Sequence, residues 1–214
     1  MRVGGYMFSK RQKESVSIEE ANAIDIMKSF AEGKISVYQF WEEYNQNITL
    51  FKLINEDEKL PVKNKAFLYQ ELNLNELYHR CEIFRVVKVY FLRRNIELNF
   101  YNEDSNIYSD LLGVVPEYIG IDKVLVDTII NGCPYEIGTK ERKKYIRKYI
   151  KDNYYYENYP PRWLQGPEWP IIDGKPAKFL YQNKFPNHLK WDDEAIIYHF
   201  SDYNGNEVIV EQST

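Results

Sequence analysis

The amino-acid sequence predicts an α+β fold, in which a helical N-terminal region is followed by a small antiparallel β-sheet at the C-terminus. Apolar residues recur at helical spacing through most of the first part of the chain, whereas six of the nine prolines lie at or after Pro160, where long helices are disfavoured. We therefore divide the chain into a helical region, 1–158, and a Pro/Trp junction with a three-stranded antiparallel module, 159–214. We expect the two parts to pack as one unit.

The first predicted helix begins after Ser17, which forms a capping box with Glu20, and Gly33 ends it. Between these residues, apolar side chains recur three or four positions apart, which is the spacing of one helix face. We expect this face to lie against the core, and its residues are Ile18, Ala21, Ile24, Met27 and Phe30.

Further helices are predicted along the rest of this region. The longest covers 75–94, where β-branched residues in the second half also allow a strand, although the length favours a helix. Residues 102–104 are expected to form a turn. A second helix is predicted to begin at Ser36, with Phe40 and Tyr44 buried, and a third to cover 48–54. Two shorter helices are predicted within 105–131, separated by Pro116 and Gly120. The last is predicted to run from a Thr139 cap to Asn153.

The C-terminal module is predicted from three short strands over 177–183, 195–201 and 207–212. The Asn204-Gly205 pair between the last two strands is typical of a tight hairpin turn, so these strands should be antiparallel neighbours. Asp173-Gly174 provides an earlier turn before the first strand.

The chain carries a net charge of −4, which argues against a general nucleic-acid binder and suits a basic partner. The charge is unevenly distributed, because residues 140–151 hold seven basic residues and one acid, and the remainder has a net charge of −10. Two functions remain open for this predicted amphipathic helix: a surface helix packed on an acidic body, or a nucleic-acid contact used by a regulator. We expect its cations to be largely exposed, namely Arg142, Lys143, Lys144, Arg147, Lys148 and Lys151.

The sequence contains no recognisable catalytic or metal-binding pattern. Cys81 and Cys133 lie far apart and outside any Cys/His metal spacing, which indicates free thiols in a reducing compartment. No glycine-rich phosphate loop is present. We therefore expect a non-catalytic protein without a cofactor or metal ion. An alternative hydrolase would pair Cys133 with His188 or His199, although His199 shares a strand face with Ile197 and has the spacing of a core residue.

The sequence has no feature that directs the chain to a membrane. The first residues lack the apolar segment of a secretion signal, and no uninterrupted apolar run reaches about 18 residues. We therefore expect a cytoplasmic protein with no membrane contact.

Acidic clusters are the candidate binding residues for a basic partner. The last cluster follows a tryptophan, so one loop can present an aromatic anchor beside three carboxylates, where charge speeds encounter and aromatic burial supplies affinity. An ordinary solvated loop remains the alternative for that cluster. The candidate partner-binding residues are Glu56, Asp57, Glu58, Glu103, Asp104, Trp191, Asp192, Asp193 and Glu194.

The most distinctive stretch runs from Tyr159 to Gln182 and reads YPPRWLQGPEWPIIDGKPAKFLYQ; we call it the Pro/Trp segment. Its prolines restrict the backbone, and Trp163 and Trp169 can pack on proline rings and on the sheet. Such a stiff segment loses little entropy on ordering. Because it holds no obvious nucleophile, base or metal set, we expect it to join the helical region to the β module.

The Pro/Trp segment, with the run from Glu207 to Gln212, resembles the immunity proteins encoded beside bacterial polymorphic toxins, including those of contact-dependent growth inhibition systems. The resemblance covers roughly the last quarter of the chain. It implies a cytoplasmic inhibitor that binds the C-terminal domain of one cognate toxin, often a nuclease, and blocks it by direct contact. Because such families diverge where they touch their toxins, the resemblance also implies that this segment is scaffold rather than contact surface.

Overall fold

The computed structural model describes residues 17–60, 72–121, 123–184 and 195–213. These residues confirm the predicted α+β class, because helices precede a C-terminal antiparallel sheet. The helices are α1 (Ile18–Ala31), α2 (Val37–Gln46), α3 (Ile48–Asn55), α4 (Leu77–Leu92), α5 (Glu103–Leu112), α6 (Lys123–Gly132) and α7 (Lys140–Asn153). The strands are β1 (Ile171–Ile172), β2 (Lys175–Pro176), β3 (Lys178–Lys184), β4 (Ala195–Ser201) and β5 (Glu207–Ser213).

The chain divides into two compact units that alternate along the sequence. Unit 1 comprises Met1–Gln70 and Phe84–Tyr101, and unit 2 comprises Glu71–Ile83 and Asn102–Thr214. Helix α4 therefore contributes its first part to unit 2 and the remainder to unit 1. The three-stranded sheet belongs to unit 2 together with α5, α6 and α7.

Side-chain caps fix the N-termini of the first three helices. Ser17 accepts a hydrogen bond from the Glu20 backbone N–H at 3.1 Å, as predicted. Ser36 and Gln39 form a reciprocal capping box at the start of α2, and Asn47 accepts hydrogen bonds from two N–H groups in the first turn of α3. Each such cap stabilises its helix by about 1 kcal/mol, so the helix starts follow directly from these residues.

Helix α1 packs through a face that differs from the predicted one. Met27 and Phe30 are buried as expected, but Ile18 is 82% exposed and Ala21 is also exposed. Towards the N-terminus, the buried stripe instead continues from Met27 to Ala23. One turn before Ala23, the same face carries Glu19 and Glu20. The apolar spacing therefore identified the correct helix, but the first turn of α1 extends past the core.

Aromatic rings fill the core of unit 1. Phe30 of α1 stacks on Phe40 of α2 with ring centroids 4.3 Å apart, and Phe84 of α4 meets Phe30 edge-on at 6.0 Å. Tyr44 is buried as predicted, and its hydroxyl accepts a hydrogen bond from buried Asn55 at 2.5 Å. Phe84 of α4 thus completes this core. The second half of α4 is helical, as its length favoured.

Residues 102–104 do not form the predicted turn. Asn102 is the N-cap of α5, and its Oδ1 accepts a hydrogen bond from the Ser105 N–H at 2.8 Å. Glu103 and Asp104 occupy the first helical turn, where the partial positive charge of the helix N-terminus stabilises carboxylates. The run was mistaken for a turn because residues that favour turns also favour N-caps.

The three-stranded sheet has the antiparallel order β3-β4-β5. A β-bulge between Phe179 and Tyr181 shifts the register of β3 against β4. Because of this shift, Gln182 pairs with Tyr198 on the buried face, whereas Tyr181 pairs with His199 on the open face. The bulge therefore decides which side chains of β3 point into the interior of unit 2.

Two tight turns agree with the sequence. Asn204-Gly205 joins β4 to β5, which confirms the predicted hairpin. Asp173-Gly174 joins the short antiparallel strands β1 and β2, and both residues have positive φ, 47° and 75°. Positive φ at both central positions is the mirror-image turn that suits the twist of a hairpin, and Asp and Gly tolerate it.

The tryptophans of the Pro/Trp segment pack on the buried face of the sheet. The ring of Trp163 lies 4.5 Å from that of Tyr198, and the ring of Trp169 meets Phe200 edge-on at 5.5 Å. Each indole N–H is also satisfied: Trp163 donates to the Tyr118 carbonyl at 2.7 Å, and Trp169 donates to another backbone carbonyl at 2.7 Å. Trp169 is therefore a core residue of unit 2, and half-buried Trp163 packs against that core.

One side chain from each strand of the three-stranded sheet binds the backbone of residues 162–166 in the Pro/Trp segment. Gln182 of β3 accepts a hydrogen bond from the Arg162 N–H at 2.7 Å. The hydroxyl of Tyr198 of β4 donates to the Arg162 carbonyl at 3.0 Å and accepts from the Leu164 N–H at 2.7 Å. Buried Gln212 of β5 accepts from two successive N–H groups of the segment and donates to one of its carbonyls at 2.7 Å.

Gly120 and Gly174 offer a matched test of how the Pro/Trp segment packs. Gly120 has φ +78°, and a Cβ there would lie 3.0 Å from Pro167 Cβ, whereas Gly174 has φ +75° and open space. We expect Gly174→Ala to destabilise by about 1 kcal/mol through backbone strain, and Gly120→Ala by about 1–3 kcal/mol more through the clash. Urea unfolding followed by far-UV circular dichroism measures both, and equal losses would contradict this packing.

Candidate functional site

The predicted partner-binding residues occupy different environments. Glu56, Glu58 and Glu103 are exposed, whereas the carboxylates of Asp57 and Asp104 lie in ion pairs. The remaining predicted residues fall outside the described part of the chain, as does His188, and these are Trp191, Asp192, Asp193 and Glu194.

Asp57 is part of the internal structure of unit 1. Its Oδ2 lies 2.8 Å from Nη1 of Arg94, and its side chain is only 5% exposed. The Arg94 guanidinium also lies over the Tyr90 ring, 3.7 Å from the centroid. Burial disfavours the charged form of Arg94, but the hydrogen bond and the attraction to Asp57 raise its pKa above the ordinary value. Asp57 therefore holds the end of α3 to the end of α4.

Asp104 has a similar role in unit 2. Its Oδ1 accepts a hydrogen bond from Arg80 Nη2 at 2.9 Å. The same guanidinium donates from Nη1 to the Leu74 carbonyl at 3.0 Å. One arginine thus links the segment before α4 to the first turn of α5, and the neighbouring Glu103 remains exposed.

Unit 1 carries a groove between α1 and α2 with a volume of about 600 Å³. Its apolar lining is contributed by Ile26 and Ile35, which are both half-buried. We call it the acidic groove because every charged residue that lines it is a carboxylate. Its polar lining consists of Asn22, Asp25, Ser29, Gln39, Glu42 and Glu43.

The carboxylates of the acidic groove are accessible. Glu42 and Glu43 are exposed on α2, and Asp25 on α1 makes a surface pair with Lys28 at 3.1 Å. Carboxylates beside aliphatic surface fit a lysine or arginine, whose stem is apolar and whose head is cationic. The sequence does not show this groove as a charge run, because its acids are divided between two helices; only the spacing of Asn22, Asp25 and Ser29 on one helix face indicates it.

Arg142 is buried, contrary to the prediction that the cations of α7 are largely exposed. It lies four residues before Ile146 and eight before Ile150, so it shares the buried face of the helix. Its Nε lies 3.5 Å from Oδ2 of buried Asp110, and its Nη1 donates to a backbone carbonyl at 3.0 Å. The same carboxylate accepts a hydrogen bond from the Gly138 N–H at 2.7 Å, so Asp110 positions the start of α7.

The other cations of α7 are exposed or partly exposed to solvent. Lys143 is partly exposed and lies 3.6 Å from Asp110, and Lys148 forms an i,i+4 pair with Asp152. Helix α7 is thus amphipathic as predicted, with Ile146 and Ile150 buried. Its exposed cations are Lys140, Lys144, Arg147, Lys148 and Lys151.

The two cysteines differ in environment. Burial raises the pKa of the Cys81 thiol to about 12, so this thiol stays protonated at neutral pH. Cys133 is half-buried, and its Sγ lies 4.0 Å from the Tyr135 carbonyl. Both are free thiols in the described chain, as the sequence predicts.

His199 is not the core residue that its strand spacing suggested. The buried residues of β4 are Ile196, Tyr198 and Phe200, and His199 lies on the opposite face of the strand. There its ring stacks on Tyr181 at 4.3 Å, and Nδ1 lies 2.8 Å from a carboxylate oxygen of β5. The prediction failed because alternation gives two faces, and it does not say which face is covered.

Residues 17–60, 72–121, 123–184 and 195–213 contain neither a candidate metal site nor a candidate membrane-spanning helix. No group of three or more His, Cys, Asp or Glu side chains in this part of the chain could hold a metal ion. No helix formed by these residues combines the length and the apolar character needed to cross a membrane.

Neighbouring acids allow the role of Asp57 to be tested. We expect Asp57→Ala to destabilise the protein by about 1–2 kcal/mol, because it removes a hydrogen bond to a charged, partly buried arginine. Glu56→Ala and Glu58→Ala, which truncate exposed carboxylates beside it, should leave the free energy of unfolding nearly unchanged. Chemical denaturation of the three variants checks this, and equal stability of all three would show that the Asp57–Arg94 pair is not structural.

Helix α7 contributes Arg142 to the buried pair with Asp110, and it also carries the exposed Lys148–Asp152 pair, which serves as a control. Asp110→Ala leaves the buried Arg142 without its counter-ion, so we expect a loss of about 3–5 kcal/mol in the free energy of unfolding. Asp152→Ala removes the exposed partner of Lys148 and should change stability little. Thermal and urea unfolding of both variants measure the difference; a small loss for Asp110→Ala would mean that water or another group compensates Arg142.

Comparison with protein-family models, with curated proteins and with solved structures finds no match to the chain. The resemblance of the Pro/Trp segment to immunity proteins therefore stays a prediction from the sequence. Two surfaces of the described residues remain as sources of functional inference: the acidic groove in unit 1, and the exposed cations of α7 in unit 2.

Proposed function

We propose that this protein is a cytoplasmic immunity protein, which binds the C-terminal domain of one cognate polymorphic toxin and neutralises it by direct contact. It acts as a stoichiometric inhibitor without chemistry of its own, and it needs no cofactor. The partner is basic, as a nuclease that contacts phosphate would be.

The acidic groove is the observation that carries this proposal. A groove of about 600 Å³ whose charged lining is entirely carboxylate attracts a basic surface, and this attraction speeds association and discriminates against acidic partners. Ile26 and Ile35 add apolar area that a lysine or arginine stem can cover, so the groove offers affinity as well as steering. Glu56 and Glu58 are further exposed carboxylates of unit 1, the unit that carries the groove. Glu103 is an exposed carboxylate of unit 2.

The contacts of the Pro/Trp segment support a scaffold role for the residues that carry the resemblance. Its tryptophans pack on the sheet, and its backbone groups are hydrogen-bonded by Gln182, Tyr198 and Gln212. These groups are therefore occupied within unit 2. A partner is better placed on a surface whose side chains are exposed. The acidic groove, with a volume of about 600 Å³, is such a surface.

Charge reversal in the acidic groove tests this proposal. The probe is the C-terminal domain of the toxin gene that lies immediately upstream, purified and titrated with the immunity protein at several salt concentrations. We expect a tight, salt-sensitive complex, and we expect Glu42→Lys/Glu43→Lys to weaken it at least about tenfold because like charges then face each other. Glu97→Lys/Glu136→Lys makes the same change in net charge at two exposed positions outside the groove and should bind within about twofold of the unmodified protein.

Three results would contradict the proposal. The absence of a toxin-like gene beside this one, or the absence of binding to its product, would remove the partner. An equal loss in both double variants would show a general charge effect rather than a contact at the groove. If nucleic acid instead bound at physiological salt through the cations of 140–151, a nucleic-acid-associated regulator would replace the immunity protein.

A further inference from the structure

A second cleft lies in unit 2 beside α7 and has a volume of about 340 Å³. Two exposed cations of α7 form one wall, and tyrosine side chains form much of the remainder. We call it the tyrosine cleft. The residues that matter for its chemistry are Tyr118, Arg147, Lys151, Tyr154, Tyr155 and Tyr156.

The two cations are arranged to bind an anion. Arg147 and Lys151 are four residues apart on α7, so their side chains leave the same face of the helix. Lys148, between them in sequence, is paired with Asp152, whereas neither Arg147 nor Lys151 has a carboxylate partner among the described residues. A guanidinium offers a planar fork that matches a phosphate, and an adjacent ammonium adds a point charge, so the pair suits a phosphate group.

The tyrosines supply flat aromatic surface next to these charges. Tyr155 is 55% exposed and Tyr156 is 39% exposed. The Tyr156 ring meets that of Tyr118 edge-on, with centroids 5.9 Å apart. Burial and the hydrogen bond to Tyr156 raise the pKa of Tyr118 to about 12, so the Tyr118 phenol stays neutral at neutral pH.

The walls of the tyrosine cleft are held in place before any ligand arrives. The Tyr155 carbonyl accepts a hydrogen bond from the Phe179 N–H of β3 at 2.9 Å, and Tyr156 forms a parallel bridge with the same residue. The Tyr118 carbonyl is bound by the indole N–H of Trp163 at 2.7 Å. A ligand therefore has little backbone to order when it binds, which favours affinity in a small site.

From these contacts we infer that the tyrosine cleft binds a mononucleotide, with the phosphate between Arg147 and Lys151 and the base against the ring of Tyr155. The cleft volume lies at the lower end of the range for small-molecule sites, about 300–1,000 Å³. Outside 140–151 the chain has a net charge of −10, which repels an extended nucleic acid more than one compact anion held locally. This function is additional to toxin binding and does not depend on it.

Titration of the full chain with separate parts of the ligand tests the inference. The probes are AMP, GMP, CMP, adenosine, inorganic phosphate and a twelve-nucleotide oligoadenylate, followed by calorimetry and by ¹H–¹⁵N chemical shifts. We expect at least one mononucleotide to bind with a Kd at or below about 1 mM. Adenosine and phosphate should each bind at least about tenfold more weakly than the best mononucleotide, because each lacks one half of the contacts.

Variants on one helix separate the cleft from the general charge of α7. Arg147→Ala/Lys151→Ala should weaken mononucleotide binding at least about tenfold, and Tyr155→Ala should weaken it about fivefold or more. Lys140→Ala/Lys144→Ala removes the same charge from exposed positions of α7 that do not line the cleft, and it should stay within about twofold. Circular dichroism confirms that each variant is folded.

The inference is overturned by any of four results. These are no saturable mononucleotide binding up to about 10 mM, phosphate binding as tight as that of any mononucleotide, equal weakening in both double variants, or oligoadenylate binding that depends on Lys140 and Lys144. The last result would indicate a nucleic-acid contact along the helix instead of a nucleotide site. The first three outcomes overturn the nucleotide site without bearing on whether the acidic groove binds a toxin. The fourth, if seen at physiological salt, would also favour the nucleic-acid-associated regulator over the immunity protein.

Discussion

The architecture of unit 2 depends most directly on the hydrogen bonds between the buried Gln212 side chain and the backbone of residues 164–166. The Pro/Trp segment has no regular secondary structure over residues 160–170, so its backbone groups need partners from elsewhere. Gln212 supplies both an acceptor and a donor to them, and the Tyr198 hydroxyl adds a second bridge. An apolar residue at position 212 would remove the acceptor of the Gln165 N–H and the donor to the Gly166 carbonyl, which explains a polar side chain on the covered face of the sheet.

Buried and partly buried ion pairs play a comparable part in positioning helices. Asp57 with Arg94, Asp104 with Arg80, and Asp110 with Arg142 each join segments that are well separated in sequence. Such pairs add little net stability relative to apolar contacts, but breaking one leaves a charge without compensation, so they penalise wrong arrangements. Asp57 and Asp104, two of the five described acids that the sequence proposed as contacts, are therefore engaged within the fold, and a count of carboxylates overstates the acidic surface.

The sequence predicted what local rules govern. Caps, helix lengths and the Asn204-Gly205 hairpin depend on neighbouring residues, and the structure agrees with them. Burial of Arg142 was missed because its charge suggested exposure, although its spacing from Ile146 placed it on the covered face. The two sites were missed for another reason, which is that neither lies within one helical window. The acidic groove is divided between the consecutive helices α1 and α2, and the tyrosine cleft combines residues 114–118 with residues 147–156.

The segment that carries the resemblance and the surfaces that carry the proposed contacts differ in how much change they can accept. Replacing Trp163 or Gln212 leaves a cavity or unpaired backbone groups inside unit 2, because both side chains are engaged there. Replacing Glu42 or Glu43 changes an exposed carboxylate and little else in the fold. If the proposed toxin partner changes, a lineage could vary the acidic groove while the Pro/Trp segment stays constant. Under the proposed function, the segment would therefore mark the family rather than the partner.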